Sequence, residues 1–83
     1  MQTLFTERAL KDFKKLTPPI QKRLIKKLEF FAQSKDPLKF SEALVNSTLG
    51  KYRFRVGDYR VIFDFPGDAL IILRLGHRKY IYK

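Results

Sequence analysis

The sequence predicts an α+β fold: an N-terminal helical hairpin packed on one face of a small, mainly antiparallel, twisted β-sheet. Three observations predict it. Apolar residues recur at helical spacing in two runs between Ala9 and Phe31, parted by Thr17-Pro18-Pro19. From Tyr52 onward the apolar period shortens to two, the period of a strand with one buried face. Gly57-Asp58 and Pro66-Gly67-Asp68 then punctuate this second half with short turns. Helices that cover only one face of such a sheet leave the other free for function. A chain of 83 residues is expected to form one domain, 1–83, and to bury only about 60–65% of its unfolded surface.

Taken in order, Thr3-Leu4-Phe5 reads as a short strand. Thr6 is a helix N-cap, with Glu7 in the first turn, where the helix dipole favours negative charge. Ala9, Leu10, Phe13 and Leu16 form the apolar stripe of the first helix, and Lys11, Lys14 and Lys15 lie near its end. Thr17 caps the second helix and Pro18 takes its first position, where a missing N–H costs nothing. Ile20, Leu24, Leu28 and Phe31 make its buried stripe, with Ile25 and Ala32 beside it and Lys22, Arg23, Lys26 and Lys27 on the remaining face. Asp36-Pro37 stops the helix, since a residue before proline avoids the α region. Residues 38–50 hold no period and are expected to form a loop pinned by Phe40, Leu44 and Leu49. Strands follow at about 51–56, 59–65, 69–75 and 79–82. The unalternating apolar run from Ala69 to Leu73 suits a central strand buried on both faces.

Charge narrows the function. Eighteen Lys and Arg oppose eight Asp and Glu, a net +10, which favours a polyanionic partner such as nucleic acid. An acidic protein partner or a plain solvated lysine surface are the alternatives. No apolar run approaches the ~20 residues needed to span a bilayer, and residues 1–10 lack the apolar stretch of a signal peptide. The chain has no cysteine and one histidine, so neither a disulfide nor a zinc site is expected. These features point to a cytoplasmic protein. Within this basic chain, Tyr52 to Arg60 puts three arginines into nine positions, alternating with aromatic or aliphatic residues. On a strand, Tyr52, Phe54 and Val56 turn inward while Arg53 and Arg55 stand on the opposite face. Returning through Gly57-Asp58, the chain is expected to add Arg60 to the same cationic surface. Guanidinium forks match phosphate, and a sheet holds them rigidly.

With this segment and the ending Leu75-Gly76-His77-Arg78-Lys79-Tyr80-Ile81-Tyr82, the chain resembles the RelE/ParE toxin superfamily of bacterial and archaeal toxin–antitoxin modules. The likeness covers nearly the whole chain and implies the RelE-like fold. For RelE-like members it implies a ribosome-dependent endoribonuclease that cuts mRNA by attack of a ribose 2′-hydroxyl on the adjacent phosphate, with no metal or cofactor. It also implies a cognate antitoxin as partner, with the ribosome and mRNA as targets and operator DNA bound only together with the antitoxin. By position, Arg53 and Arg55 match the family's paired basic residues and Arg60 its phosphate-stabilising arginine. Arg78 matches the arginine near the leaving group, and Tyr82 the C-terminal tyrosine that orients or activates the nucleotide. Lys51 and Lys79 flank these motifs as further RNA contacts.

One departure bears on mechanism. Close RelE relatives carry lysines where this chain has Arg53 and Arg55. An arginine does not give up its proton under ordinary conditions, so these two hold phosphate and the base stays unassigned. His77, the one side chain that ordinarily titrates near neutrality, is a candidate acid or base. Its alternative is to face away from Arg78 and pack or cap a turn. Tyr82 is alternatively a core aromatic, and the arginines alternatively pair with Asp58 and Asp64. At the level of function, the alternatives are a ParE-like inhibitor of DNA gyrase and a non-catalytic RNA-binding relative.

Overall fold

The computed structural model describes residues 1–82. The chain runs β1 (Gln2–Phe5), α1 (Glu7–Lys14), α2 (Pro18–Gln33), a 3-10 turn (Pro37–Phe40), β2 (Ser41–Ala43), β3 (Tyr52–Val56), β4 (Tyr59–Asp64) and β5 (Ala69–His77). The five strands form one sheet in the order β1-β5-β4-β3-β2. All neighbours are antiparallel except β1 and β5, which run parallel from Gln2↔Ala69 to Phe5↔Ile72. The result is an α+β fold with two helices packed on a five-stranded mixed sheet.

Local chemistry explains most boundaries. Thr6 extends the β1–β5 ladder through its N–H to Ile72 O (3.0 Å), then caps α1 by accepting the Ala9 N–H at Oγ1 (3.1 Å). At α2, Pro18 occupies the first turn, and Thr17 has the extended backbone of a cap without a side-chain cap bond. The helix ends at Gln33, before Asp36-Pro37. Gly57 alone of the two β3–β4 turn residues has positive φ (60°), the pattern of a type II′ hairpin.

Ala9, Leu24, Leu28 and Phe31 of the helices meet Phe54, Val56, Val61, Phe63, Leu70, Ile72 and Leu75 of the sheet in one core. An aromatic stack runs through it: Phe31 on Phe54 at 4.2 Å, Phe54 on Phe63 at 4.1 Å. Phe31 is thus a core residue, while Phe30 and Phe40 stay partly in solvent.

Four sequence expectations need correction. Leu10 is exposed, and Asp12 is buried in its stead. Beyond Phe5, β5 has no strand on its outer side, and Asp12 fills that role by accepting from Leu75 N (3.1 Å) and Arg74 Nε (2.8 Å). The expected loop 38–50 holds the 3-10 turn and β2, whose three residues are too few to show a period. The expected strand 79–82 is instead a turn, in which Tyr80 N and Ile81 N both donate to His77 O (2.9 and 3.0 Å). That turn buries Ile81, whose Cδ1 would lie 3.5 Å from a Cβ at Gly76. Lastly, Arg60 is not on the surface but only 6% exposed.

The face away from the helices is not bare. Ile62 is fully buried there. Gly50 lies so close over it that a Cβ would come within 2.7 Å of Ile62 Cγ2 and 2.8 Å of Leu73 Cδ1. The segment after β2 thus covers a small apolar patch and leaves the arginine strip beside it open.

Candidate functional site

Strand alternation sends Arg53 and Arg55 of β3 to the open face, opposite Phe54 and Val56, which are buried under the helices. Register then sets their neighbours. Arg53 lies between Glu42 on β2 and Ile62 on β4, and Arg55 lies opposite Arg60.

Arg53 is the hub. Its Nη1 donates to the Tyr82 hydroxyl at 2.7 Å, and its Nη2 donates to Glu42 Oε2 at 3.0 Å. The guanidinium carbon stands 5.9 Å from the Tyr82 ring centre, and Nε is buried without a hydrogen-bond partner. Arg55, well exposed, donates from Nη1 to Glu42 Oε1 at 3.3 Å. One carboxylate therefore bridges both arginines, one oxygen to each. The Arg53 hydrogen bond and the two positive charges hold the Glu42 carboxyl below the usual carboxylate range. The Tyr82 hydroxyl, and after it Glu42, hold the Arg53 guanidinium more firmly protonated than usual.

The C-terminal turn makes this arrangement possible. Because the chain bends after His77 rather than continuing as a strand, Tyr82 folds back onto the arginine face, half exposed. The two sequence motifs meet there.

A second cationic group surrounds the β3–β4 turn. Arg60 Nη1 donates to Gly57 O and Tyr59 O, both at 2.9 Å. Its position opposite Arg55 is as the alternation predicts, but its charge is spent on turn carbonyls beneath the surface. Arg78 pairs with Asp58 (3.6 Å), and its backbone N donates to Asp58 O (2.7 Å). The Arg23 guanidinium of α2 packs against Gly57.

His77 stands apart from the arginines. It is in register with Tyr59, packs edge-on against that ring at 5.4 Å, and accepts the Lys79 N–H at Nδ1 (3.1 Å). Its geometry is that of a turn cap. Lys51 and Lys79 are both exposed; Lys51 N donates to Asp64 Oδ1 (2.9 Å), which fixes that strand entry. The carboxylates named as the arginines' alternative partners, Asp58 and Asp64, pair with Arg78 and accept from Lys51 N. The partner found is Glu42, which sequence reasoning missed. One signal was present: Glu42 is the sole acidic residue between Asp36 and Asp58.

Comparison with known proteins agrees with this architecture. Residues 3–82 match the family model described as the ParE toxin of the type II toxin–antitoxin system parDE. The chain is 34% identical over 84 residues to Toxin RelE3 of Methanocaldococcus jannaschii, covering 99% of this chain and 96% of that one. Among solved structures, it is similar to the toxin–antitoxin complex RelBE2 of Mycobacterium tuberculosis (TM-score 0.76, 29% identity, 93% of this chain and 96% of that one). It is also similar to the RelB–RelE complex of Methanococcus jannaschii (TM-score 0.72, 31% identity, 95% of this chain and 94% of that one).

Proposed function

The chain belongs to the RelE/ParE superfamily of type II toxin–antitoxin toxins, and from that membership we propose that it is a ribosome-dependent endoribonuclease that cuts mRNA. The observation that carries the reading is the 2.7 Å hydrogen bond from Arg53 to the Tyr82 hydroxyl, which joins the two motifs beside Arg55 on the open face. Forked cations next to a phenol suit a nucleotide: the forks take phosphate oxygens, and the ring can stack on a base.

In the proposed step the 2′-oxygen attacks the adjacent phosphorus and the bond to the 5′-oxygen breaks, leaving a 2′,3′-cyclic phosphate and a 5′-hydroxyl. The 2′-proton goes to a base and the 5′-oxygen gains one. Arg53 and Arg55 hold the phosphate's non-bridging oxygens as charge develops. Arg78 stands near the leaving group, Tyr82 orients the nucleotide, and Arg60 acts from beneath by bracing the turn that carries its neighbours. Neither arginine nor His77, capped by Lys79 N–H, supplies a strong base beside the phosphate. Alignment of the 2′-hydroxyl is therefore left to the ribosome, since orientation alone can be worth about 7–11 kcal/mol of barrier.

A RelB-type antitoxin is the proposed partner, as in the complexes named above. Exposed Phe30 and Phe40, rimmed by Lys27 (6.0 Å from the Phe30 ring) and Lys39 (5.3 Å from the Phe40 ring), suit an acidic amphipathic segment. One observation favours a second reading: the matched family model is that of a ParE toxin, so gyrase inhibition without cleavage is the alternative.

The test is to induce the chain in a translating extract and map mRNA ends by primer extension. Codon-phased ends that require ribosomes support the ribonuclease. Intact mRNA with impaired gyrase supercoiling supports the alternative.

A further inference from the structure

We propose that Glu42 is an internal stand-in for the substrate phosphate: its carboxylate occupies the place on Arg53 and Arg55 that an RNA phosphodiester takes, and binding is an exchange of one for the other. The inference rests on the reading of Arg53 and Arg55 as the phosphate-holding pair and adds a residue that neither motif contains.

The geometry carries it. Glu42 offers one oxygen to each arginine, at 3.0 and 3.3 Å, as two non-bridging phosphate oxygens would. It bears a single negative charge, as a phosphodiester does, so the net charge of the site is the same before and after the exchange. No other carboxylate is bonded to them among the described residues: Asp12, Asp58 and Asp64 are paired elsewhere. The Glu42 side chain is 45% exposed on the three-residue edge strand β2, so it can swing into solvent without opening the fold.

The arrangement also sets selectivity. A lone anion meets a pair whose positive charge Glu42 already halves, and it gains little by exchanging one negative charge for another. A polynucleotide brings further phosphates, which gain contacts at Lys51 and Lys79 once the first has exchanged. The site thus discriminates a chain of phosphates from single small anions on a protein whose net charge of +10 would otherwise attract both.

The experiment measures binding of a short 2′-O-methyl oligoribonucleotide, which cannot be cleaved, by fluorescence anisotropy. Glu42→Gln keeps shape and removes charge. Glu29→Gln, on exposed α2, removes the same charge away from the arginines and reports the general electrostatic gain. Glu42→Gln is expected to bind at least about threefold tighter than Glu29→Gln, the scale of one or two exposed ion pairs released. That advantage should vanish in the Arg53→Ala/Arg55→Ala background, with thermal melts confirming folded protein. If the double variant does not fold, Arg55→Ala alone, at an exposed position, should reduce the advantage. If Glu42→Gln binds no tighter than Glu29→Gln while the arginine variants lose affinity, the exchange is wrong and Glu42 merely positions the arginines. If the arginine variants bind as wild type, the phosphate-holding pair is wrong and the inference falls with it.

Discussion

Arg60 and Arg53 show how one residue type takes opposite roles on one sheet. Arg60 is buried and gives one nitrogen to two turn carbonyls, so Arg60→Ala strands both acceptors and empties its space. The expected cost is about 1–3 kcal/mol, seen as a fall in Tm of roughly 4–8 °C per kcal/mol for a chain this size. An Arg60→Ala protein with an unchanged melt would contradict its role as a brace. Arg53 instead directs its donors outward to Tyr82 and Glu42. Tyr82→Phe, which keeps the ring and deletes the acceptor, should leave the melt in place and lower cleavage less than Arg53→Ala does. Equal losses would mean that the hydroxyl rather than the ring is what Tyr82 contributes. The Glu42 clamp has its own signature in acid. A carboxyl whose folded pKa is depressed stabilises above its unfolded pKa and loses that contribution as pH falls through the folded value. The Glu42 carboxyl carbon, followed by NMR, should titrate below the ordinary value of about 4.3. A midpoint at or above it would remove the clamp.

At the scale of elements, what was legible followed from periods and turn residues. The helices, the alternating β3 and the Gly57-Asp58 hairpin each carry a pattern several residues long, and each formed close to its expected limits. β2 was not legible because three residues show no period, and with β2 went Glu42. The C-terminal segment misled for a different reason. Tyr80-Ile81-Tyr82 alternates like a strand, but a buried Ile81 between two aromatics fits a turn equally well. Asp12 was hidden because its role is set by an unpaired strand edge far away in sequence, which no helical period reports. Asp12→Ala should therefore be costly, about 1–3 kcal/mol, by leaving Leu75 N and Arg74 Nε without their acceptor. Gly57→Ala should also destabilise, since a backbone φ of 60° is one that alanine rarely adopts. Denaturant melts of the two variants check both; a wild-type midpoint for either would contradict the corresponding packing.

For the whole molecule, charge and shape divide the work. A net charge of +10 is expected to attract polyanions, RNA among them, and such binding should weaken steeply with salt, by about one unit of log–log slope per lost phosphate contact. No helix of the described residues is long and apolar enough to cross a membrane. The face opposite the helices gives that general attraction one fixed place, where β3, the edge strand β2 and the C-terminal turn converge on Arg53. The most direct test compares ribosome-dependent mRNA cleavage by wild type, Arg53→Ala and the pair Lys26→Ala and Lys27→Ala, with thermal melts alongside. Losing one fixed donor to the developing charge should slow Arg53→Ala by about 10²–10³-fold without unfolding it, while the α2 lysine variants change only the salt dependence of binding. Cleavage by Arg53→Ala at the wild-type rate, or an equal loss in the lysine variants, would contradict the assignment of the open arginine face as the site of chemistry.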